Sequence, residues 1–93
     1  MEPSIVKGEK RGKIVLYGLS TCGWCKKTKK FLNKLGVEYQ YIDVDLLDDE
    51  QHDKIAAEVA KWNPNRNYPT VVINDTKCIV GYKENDIKEA LHV

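Results

Sequence analysis

The run Ser20-Thr21-Cys22-Gly23-Trp24-Cys25 decides the fold of this chain, because it places two cysteines between a strand and a helix. Residues 13–17, Lys-Ile-Val-Leu-Tyr, precede it and end at Gly18, a pattern typical of a buried strand. Either Ser20 or Thr21 is predicted to cap the helix that follows. Apolar and small residues then recur at three- and four-residue steps and predict one buried helix face: Cys25, Thr28, Phe31, Leu32 and Leu35.

The rest of the chain predicts three further strands and two further helices. Residues 37–44 form the second strand, and an acidic start at 48–50 opens a helix that Pro64 stops. Residues 70–73 and 77–80 form a hairpin around a turn at 74–75, and a last helix turns Ile87, Ala90 and Leu91 inward. The order β-α-β-α-β-β-α predicts an α/β fold, a four-stranded mixed sheet flanked by three helices. Its first two strands are parallel and joined by a right-handed crossover.

Composition narrows the classes of function. The chain has 93 residues, which predicts one domain. Its formal net charge of +1 argues against a nucleic-acid partner, and it has three cysteines. No apolar run approaches the roughly 20 residues that span a bilayer. Residues 1–12 are polar and basic without a signal-peptide core, so we predict a flexible leader before a domain at 13–93. An odd cysteine count without an export signal favours the reducing cytoplasm, and we expect a monomer.

The spacing of Cys22 and Cys25 indicates a redox-active dithiol. Residues three apart on a helix share a face, so a small adjustment closes a disulfide between them. Cys22 is outermost at a helix N-terminus, a setting that stabilises the attacking thiolate, so it is the predicted nucleophile. Cys25 lies one turn inward and is predicted to resolve the mixed disulfide. Gly23 leaves the approach open, and Trp24 offers an exposed ring on which a partner can pack.

Other interpretations of the cysteines carry less weight. Structural zinc takes four ligands, and only Cys78, His52 and His92 remain to complete a set, so we predict no metal site. Inert buried thiols fit poorly with a position at a helix start. Cys78 is predicted to be a small buried apolar residue, with a regulatory thiol as the alternative. Asp43 and Asp45 end the second strand and are interpreted as solvated, although an acid near the dithiol could relay protons to Cys25.

Three segments together resemble the thioredoxin superfamily, and within it the glutaredoxins and the NrdH-type redoxins. They are residues 20–25, residues 68–73 (Tyr-Pro-Thr-Val-Val-Ile) and residues 79–82 (Ile-Val-Gly-Tyr). The resemblance runs from Ile14 onward and implies a thioredoxin-like fold of the glutaredoxin type. It implies a cis peptide bond at Tyr68–Pro69 beside the dithiol, where an X–Pro bond costs only about 0.5–1 kcal/mol in the cis form. With Gly23 and Trp24, the substrate-binding residues that it implies are Tyr68, Pro69, Thr70, Gly81 and Tyr82.

The source of electrons is a separate question. Glutaredoxins hold glutathione partly through a Gly-Gly pair followed by an acidic residue, whereas this chain has Val80-Gly81 and then Lys83. Gly-Tyr-Lys resembles NrdH-type redoxins, which a thioredoxin-reductase-type enzyme reduces and which donate electrons to ribonucleotide reductase. The resemblance therefore implies protein-disulfide substrates and a reductase partner, with no cofactor beyond the Cys22–Cys25 disulfide. The alternatives are a glutathione-dependent glutaredoxin that removes glutathione from proteins, and a dimer bridged by an iron–sulfur cluster through Cys22 and glutathione.

Overall fold

The computed structural model describes residues 4–65 and 67–92 and contains five strands and three helices within them. The strands are β1 (Ser4–Val6), β2 (Ile14–Gly18), β3 (Tyr39–Asp43), β4 (Thr70–Ile73) and β5 (Lys77–Val80). The helices are α1 (Gly23–Leu35), α2 (Asp49–Trp62) and α3 (Glu84–Leu91), and a short 3-10 turn at Val44–Leu46 leads from β3 toward α2. None of these helices is long and apolar enough to cross a membrane.

The strands form one mixed sheet in the order β1-β3-β2-β4-β5. The central strand β2 pairs in parallel with β3, as the crossover helix requires, and antiparallel with β4. Strands β4 and β5 form the predicted hairpin. Its turn residues Asn74 and Asp75 have φ values of 55° and 54°, the left-handed geometry that tight hairpins favour. The predicted order of elements and the predicted parallel pair are therefore confirmed.

Two apolar layers cover the sheet, one on each face. Alternate residues of β2 point to opposite faces, so Ile14 and Leu16 belong to the layer with α1 and α3, whereas Val15 and Tyr17 belong to the layer with α2. All five residues of β2 are buried, which explains its continuous apolar sequence. A shift of β2 by one residue would move each of its side chains into the opposite layer, so the packing of the two layers fixes the register of the strand.

The sheet has one strand more than the four predicted. Strand β1 lies in the segment predicted to be a flexible leader and pairs antiparallel with β3. Further along, the Glu9 N–H donates to the Gly36 carbonyl at 2.8 Å, and the Glu38 N–H donates to the Glu9 carbonyl at 2.8 Å. Part of the predicted leader is therefore hydrogen-bonded to the sheet. The sequence pattern does not predict this pairing, because backbone hydrogen bonds need no apolar periodicity. Residues 1–3 lie outside the described residues, and the domain boundary at residue 12 stays a prediction.

The topology brings three distant segments to one end of the sheet. Antiparallel pairing places Tyr17, near the end of β2, opposite Thr70, at the start of β4. Thr70 in turn lies opposite Val80, the last residue of β5. The loop that follows β2, the residues before β4 and the residues after β5 therefore meet at the start of α1. These are the segments that carry both cysteines, Pro69 and Gly81.

Candidate active site

Cys22 itself is the N-cap of α1. Its backbone is extended, with φ −80° and ψ 115°, and its Sγ accepts the backbone N–H of Cys25 at 3.1 Å. The prediction that Ser20 or Thr21 caps this helix is therefore wrong. The helix begins one residue later than a Thr21 cap requires, and the sulfur takes the place that a cap oxygen usually occupies. Negative charge on this sulfur would be stabilised by the N-terminal N–H groups and by the positive end of the helix dipole.

Cys25 lies one turn further along α1 and is fully buried. Burial, and then the hydrogen bond with Cys22, raise the pKa of the Cys25 thiol from 9.0 to about 12, although the Leu19 backbone and the charge of Lys29 act in the opposite direction. Cys22 is partly exposed, and both thiols are free. The two cysteines thus differ in access: Cys22 is partly exposed at the helix start, and Cys25 is enclosed and holds its proton.

A shallow cleft of about 280 Å³ opens beside the dithiol. Its lining consists of residues that the sequence predicted to bind substrate: Trp24, Tyr68, Pro69, Gly81 and Tyr82. The Tyr68–Pro69 bond is cis, as the resemblance implied. The Trp24 ring is 58% exposed, and the position of Gly23 is open, because a Cβ built there meets no atom within 4 Å. Substrate has room to approach from this side.

Thr70 follows the cleft residue Pro69 and does not itself line the cleft. It is fully buried, and its hydroxyl donates to the Asn67 carbonyl at 2.6 Å. The predicted role of Thr70 in substrate binding therefore stays a proposal. Thr70 could affect the substrate only through residues that line the cleft, such as Pro69. Its observed contacts hold the loop before β4 in place.

The far wall of the cleft is an aromatic stack. The Tyr82 ring centroid lies 6.0 Å from that of Trp24 and 6.1 Å from that of Phe31, with the second pair edge to face. The Tyr82 hydroxyl donates to the Glu84 carboxylate. Gly81 turns the chain into this wall with φ +91°, a left-handed geometry that favours glycine, and its N–H donates to the Pro69 carbonyl at 2.8 Å. The residues after β5 are thereby fixed against the residues before β4.

Asp45 holds the loop that leads into Cys22, a role that the sequence analysis did not predict. The Ser20 backbone N–H donates to Asp45 Oδ1 at 2.8 Å, and the Ser20 hydroxyl donates to Oδ2. These hydrogen bonds lower the pKa of the Asp45 carboxyl. Neighbouring Asp43 instead pairs with Lys29 at 3.4 Å. The only sequence signal was an acid just beyond a strand that runs parallel to β2, which is too common to identify a partner 25 residues away.

Gly18 makes room for the buried thiol, whereas its position in the sequence predicts only the end of a strand. A Cβ built at Gly18 would lie 3.1 Å from both the Cβ and the Sγ of Cys25. Both residues are buried, so neither has solvent into which it could shift. The absence of a side chain at Gly18 therefore allows α1 to pack its first turn against the end of β2.

We expect Gly18→Ala to lower the free energy of unfolding by about 1–3 kcal/mol, the usual cost of forcing extra volume into a packed interior. The methyl group must push the Cys25 side chain or the start of α1 outward. Urea titration of the reduced protein measures the change. Gly23→Ala is the matched control, since its Cβ meets nothing. Equal stability of the two variants would show that the Gly18 contact is not limiting.

The remaining sequence candidates lie apart from the dithiol. Cys78 is half-buried on the edge strand β5, so it is less enclosed than predicted, and burial raises the pKa of its thiol. His52 and His92 are exposed. Within residues 4–65 and 67–92, His, Cys, Asp and Glu side chains form no group of three that could hold a metal ion. The cysteine pair is the reactive centre that these observations single out.

Comparison with known proteins places this site in a family. Residues 14–79 match the family model described as Glutaredoxin. The methanoredoxin of Methanosarcina acetivorans is 53% identical, with a TM-score of 0.90 over 92% of this chain and 90% of that one. The glutaredoxin of Methanosarcina mazei Go1 is 47% identical, with a TM-score of 0.93 over 100% of this chain and 90% of that one.

A curated relative supports the same assignment at lower identity. It is an uncharacterized glutaredoxin-like 8.6 kDa protein in the rubredoxin operon of Clostridium pasteurianum, 31% identical over 84% of this chain and 96% of its own length. The extent of the family match, the sheet topology and the cysteine pair at the start of α1 agree with one another. The chain therefore belongs to the glutaredoxin family of the thioredoxin superfamily, whose members are thiol–disulfide oxidoreductases.

Proposed function

We propose that this protein reduces disulfides in other proteins by exchange with its own dithiol. In the first step the Cys22 thiolate attacks one sulfur of the substrate disulfide. A Cys22–substrate disulfide forms, the substrate S–S bond breaks, and the other substrate sulfur leaves as a thiolate that takes up a proton. The observation that carries this proposal is the contrast at the start of α1 between the partly exposed Cys22 and the buried Cys25.

In the second step Cys25 loses its proton and attacks Cys22 Sγ. The Cys22–Cys25 disulfide forms, and the second substrate sulfur leaves as a thiolate. The substrate has then gained two electrons, and the redoxin has lost two. The hydrogen bond and the charge of Cys22, two of the causes that raise the pKa of Cys25, are lost once Cys22 is in a mixed disulfide. Formation of the mixed disulfide therefore makes Cys25 more acidic at the moment when it must attack.

The cleft beside Pro69 is the proposed seat for the substrate chain. Trp24 and Tyr82 offer apolar ring surface on one side, and the Tyr68–Pro69 pair forms the other. A cleft this shallow suits an extended polypeptide better than an enclosed small molecule, because ligand pockets for small molecules bury most of their ligand.

We further propose that electrons come from a thioredoxin-reductase-type enzyme and pass to targets such as ribonucleotide reductase. Lys83 supports this route: it is the exposed N-cap residue of α3, where glutaredoxins that use glutathione carry an acid. A lysine there would repel the α-ammonium group of glutathione. The NrdH-redoxin of Escherichia coli, a glutaredoxin-like protein with a thioredoxin-like activity profile, is 25% identical over 83% of this chain and 92% of that one, with a TM-score of 0.65.

Glutathione is the alternative electron source. A buckwheat glutaredoxin solved in complex with glutathione is 32% identical over 82% of this chain and 66% of that one, with a TM-score of 0.65. Glu84 next to Lys83 is acidic, but its carboxylate already accepts the Tyr82 hydroxyl. This engagement favours the reductase route over glutathione.

Two coupled assays on one disulfide substrate test the electron source. We expect rapid turnover with NADPH and a thioredoxin-reductase-type enzyme, and slow turnover with glutathione and glutathione reductase. Lys83→Glu should raise the glutathione-dependent rate about fivefold, since an exposed charge pair contributes up to about 1 kcal/mol. Lys61→Glu on α2 is the control for net charge. Faster turnover with glutathione than with the reductase, in the unmodified protein, would overturn this part of the proposal.

A further inference from the structure

A second groove adjoins the active-site cleft between α1 and α3. This groove, of about 430 Å³, is called the lysine groove here, and its lining consists of Lys27, Lys30, Phe31, Lys34, Tyr82 and Glu84. Tyr82 lines both the lysine groove and the active-site cleft. A chain that occupies the cleft can therefore continue over the Tyr82 ring into the lysine groove without a break.

The charge of the lysine groove is strongly one-sided. Helix α1 carries five lysines and no acidic residue, and three of them, Lys27, Lys30 and Lys34, lie along this groove. None of these three lies within 4.0 Å of a carboxylate in the part of the chain that the structure describes. The single acidic residue of the lining, Glu84, accepts the Tyr82 hydroxyl. Three exposed ammonium groups thus face one engaged carboxylate.

The floor of the lysine groove is apolar and continuous with the aromatic wall of the cleft. The Phe31 ring lies against Tyr82. The Lys88 ammonium lies 6.0 Å from the centroid of the Phe31 ring. The Lys27 ammonium lies 4.5 Å from the Trp24 ring centroid, so positive charge extends to the rim of the active site. A polypeptide with acidic side chains and an apolar residue matches this surface. A nucleic acid matches it less well, since the net charge of the whole chain is only +1.

We infer that the lysine groove receives an acidic segment of the substrate protein, next to the disulfide that the dithiol reduces. This inference rests on the proposed function and adds substrate selectivity to it. Opposite charges speed the encounter of two partners and set their orientation more than they add affinity. The groove would hold the acidic flank of the substrate while Cys22 attacks the sulfur seated in the cleft.

Single-turnover reduction by the pre-reduced protein tests the inference without any reductase. The probes are two disulfide peptides of equal length, one with aspartates and glutamates beside the disulfide and one with asparagines and glutamines there, plus the neutral bis(2-hydroxyethyl) disulfide. We expect the acidic peptide to react about tenfold faster than the amide peptide in dilute buffer. The advantage should shrink at about 0.3 M salt, where charges are screened within several ångströms.

Lys30→Glu/Lys34→Glu should abolish the preference for the acidic peptide, because both lysines line the groove. Lys54→Glu/Lys61→Glu on α2 is the control: it changes the net charge equally but should keep the preference. Equal rates for the two peptides, or equal loss in both double variants, would overturn the inference. A short single-stranded RNA that competes with the acidic peptide at lower concentration would overturn it in favour of nucleic acid. Reduction of the neutral disulfide reports on the dithiol itself, so its failure would count against the proposed function.

Discussion

Cys22→Ser is expected to abolish disulfide reduction, with a loss of at least about a thousandfold, because a serine hydroxyl cannot form the mixed disulfide. The variant should retain its fold, since Cys22 is partly exposed and serine is a preferred helix N-cap. Turnover of a protein disulfide, measured with saturating reductase, gives the loss. Circular dichroism of the variant checks that the fold is retained.

Cys25→Ser is expected to accumulate the intermediate that Cys22→Ser cannot form. The first exchange proceeds, but no thiol follows to release the substrate, so the Cys22–substrate disulfide accumulates. Intact mass spectrometry under non-reducing conditions detects it as one covalent adduct. Cys78→Ser is the matched control and should behave as the unmodified protein, since Cys78 lies on the edge strand β5 and does not line the cleft. If Cys22→Ser traps substrate and Cys25→Ser does not, the roles of nucleophile and resolver are reversed.

The sequence predicted the fold correctly where burial or backbone geometry restricts which residue types a segment can contain. The run at residues 14–17 is apolar throughout, because β2 is covered by helices on both sides of the sheet. The apolar positions of α1 recur with helical spacing because only one face packs inward. The Asn74-Asp75 turn has residues that tolerate a positive φ. Each of these patterns has one physical cause, and each was confirmed.

The features that the sequence did not predict depend on groups that leave no pattern. Strand β1 is held by backbone pairing at a sheet edge, where one short exposed strand needs no apolar alternation. The cap at Cys22 depends on a sulfur, which is absent from the usual set of cap residues. Gly18 and Asp45 act across the fold, on Cys25 and Ser20, and contacts of this kind appear only when the chain is folded.

Cys25 also predicts how stability changes in alkali. Its folded pKa, about 12, exceeds the 9.0 of an ordinary thiol, so unfolding releases a proton from Cys25 between these values. The free energy of unfolding should therefore be unaffected by Cys25 below pH 9.0 and fall by about 1.4 kcal/mol per pH unit above it. Tyr17, with a pKa raised by burial from 10.0 to about 12, adds a similar fall above pH 10.0. Urea titrations at a series of pH values measure this fall. Just above pH 9.0, the free energy of unfolding should decrease more steeply with pH for Cys78→Ser than for Cys78→Ser/Cys25→Ala, because only the first variant keeps Cys25.

The same raised pKa predicts a large difference in alkylation between the two cysteines. Near neutral pH, a pKa of about 12 leaves Cys25 with about a thousandfold less thiolate than it would have at the ordinary value of 9.0, and burial restricts access to it further. Iodoacetamide should therefore label Cys25 at least about a hundredfold more slowly in the folded, reduced protein than in guanidinium, whereas the partly exposed Cys22 is open to the reagent. Peptide mapping after brief exposure measures both rates, and guanidinium should equalise them, because unfolding removes the burial. Faster labelling of Cys25 in the folded protein would contradict the order of attack, since the resolving thiol must stay protonated until Cys22 is bound to substrate.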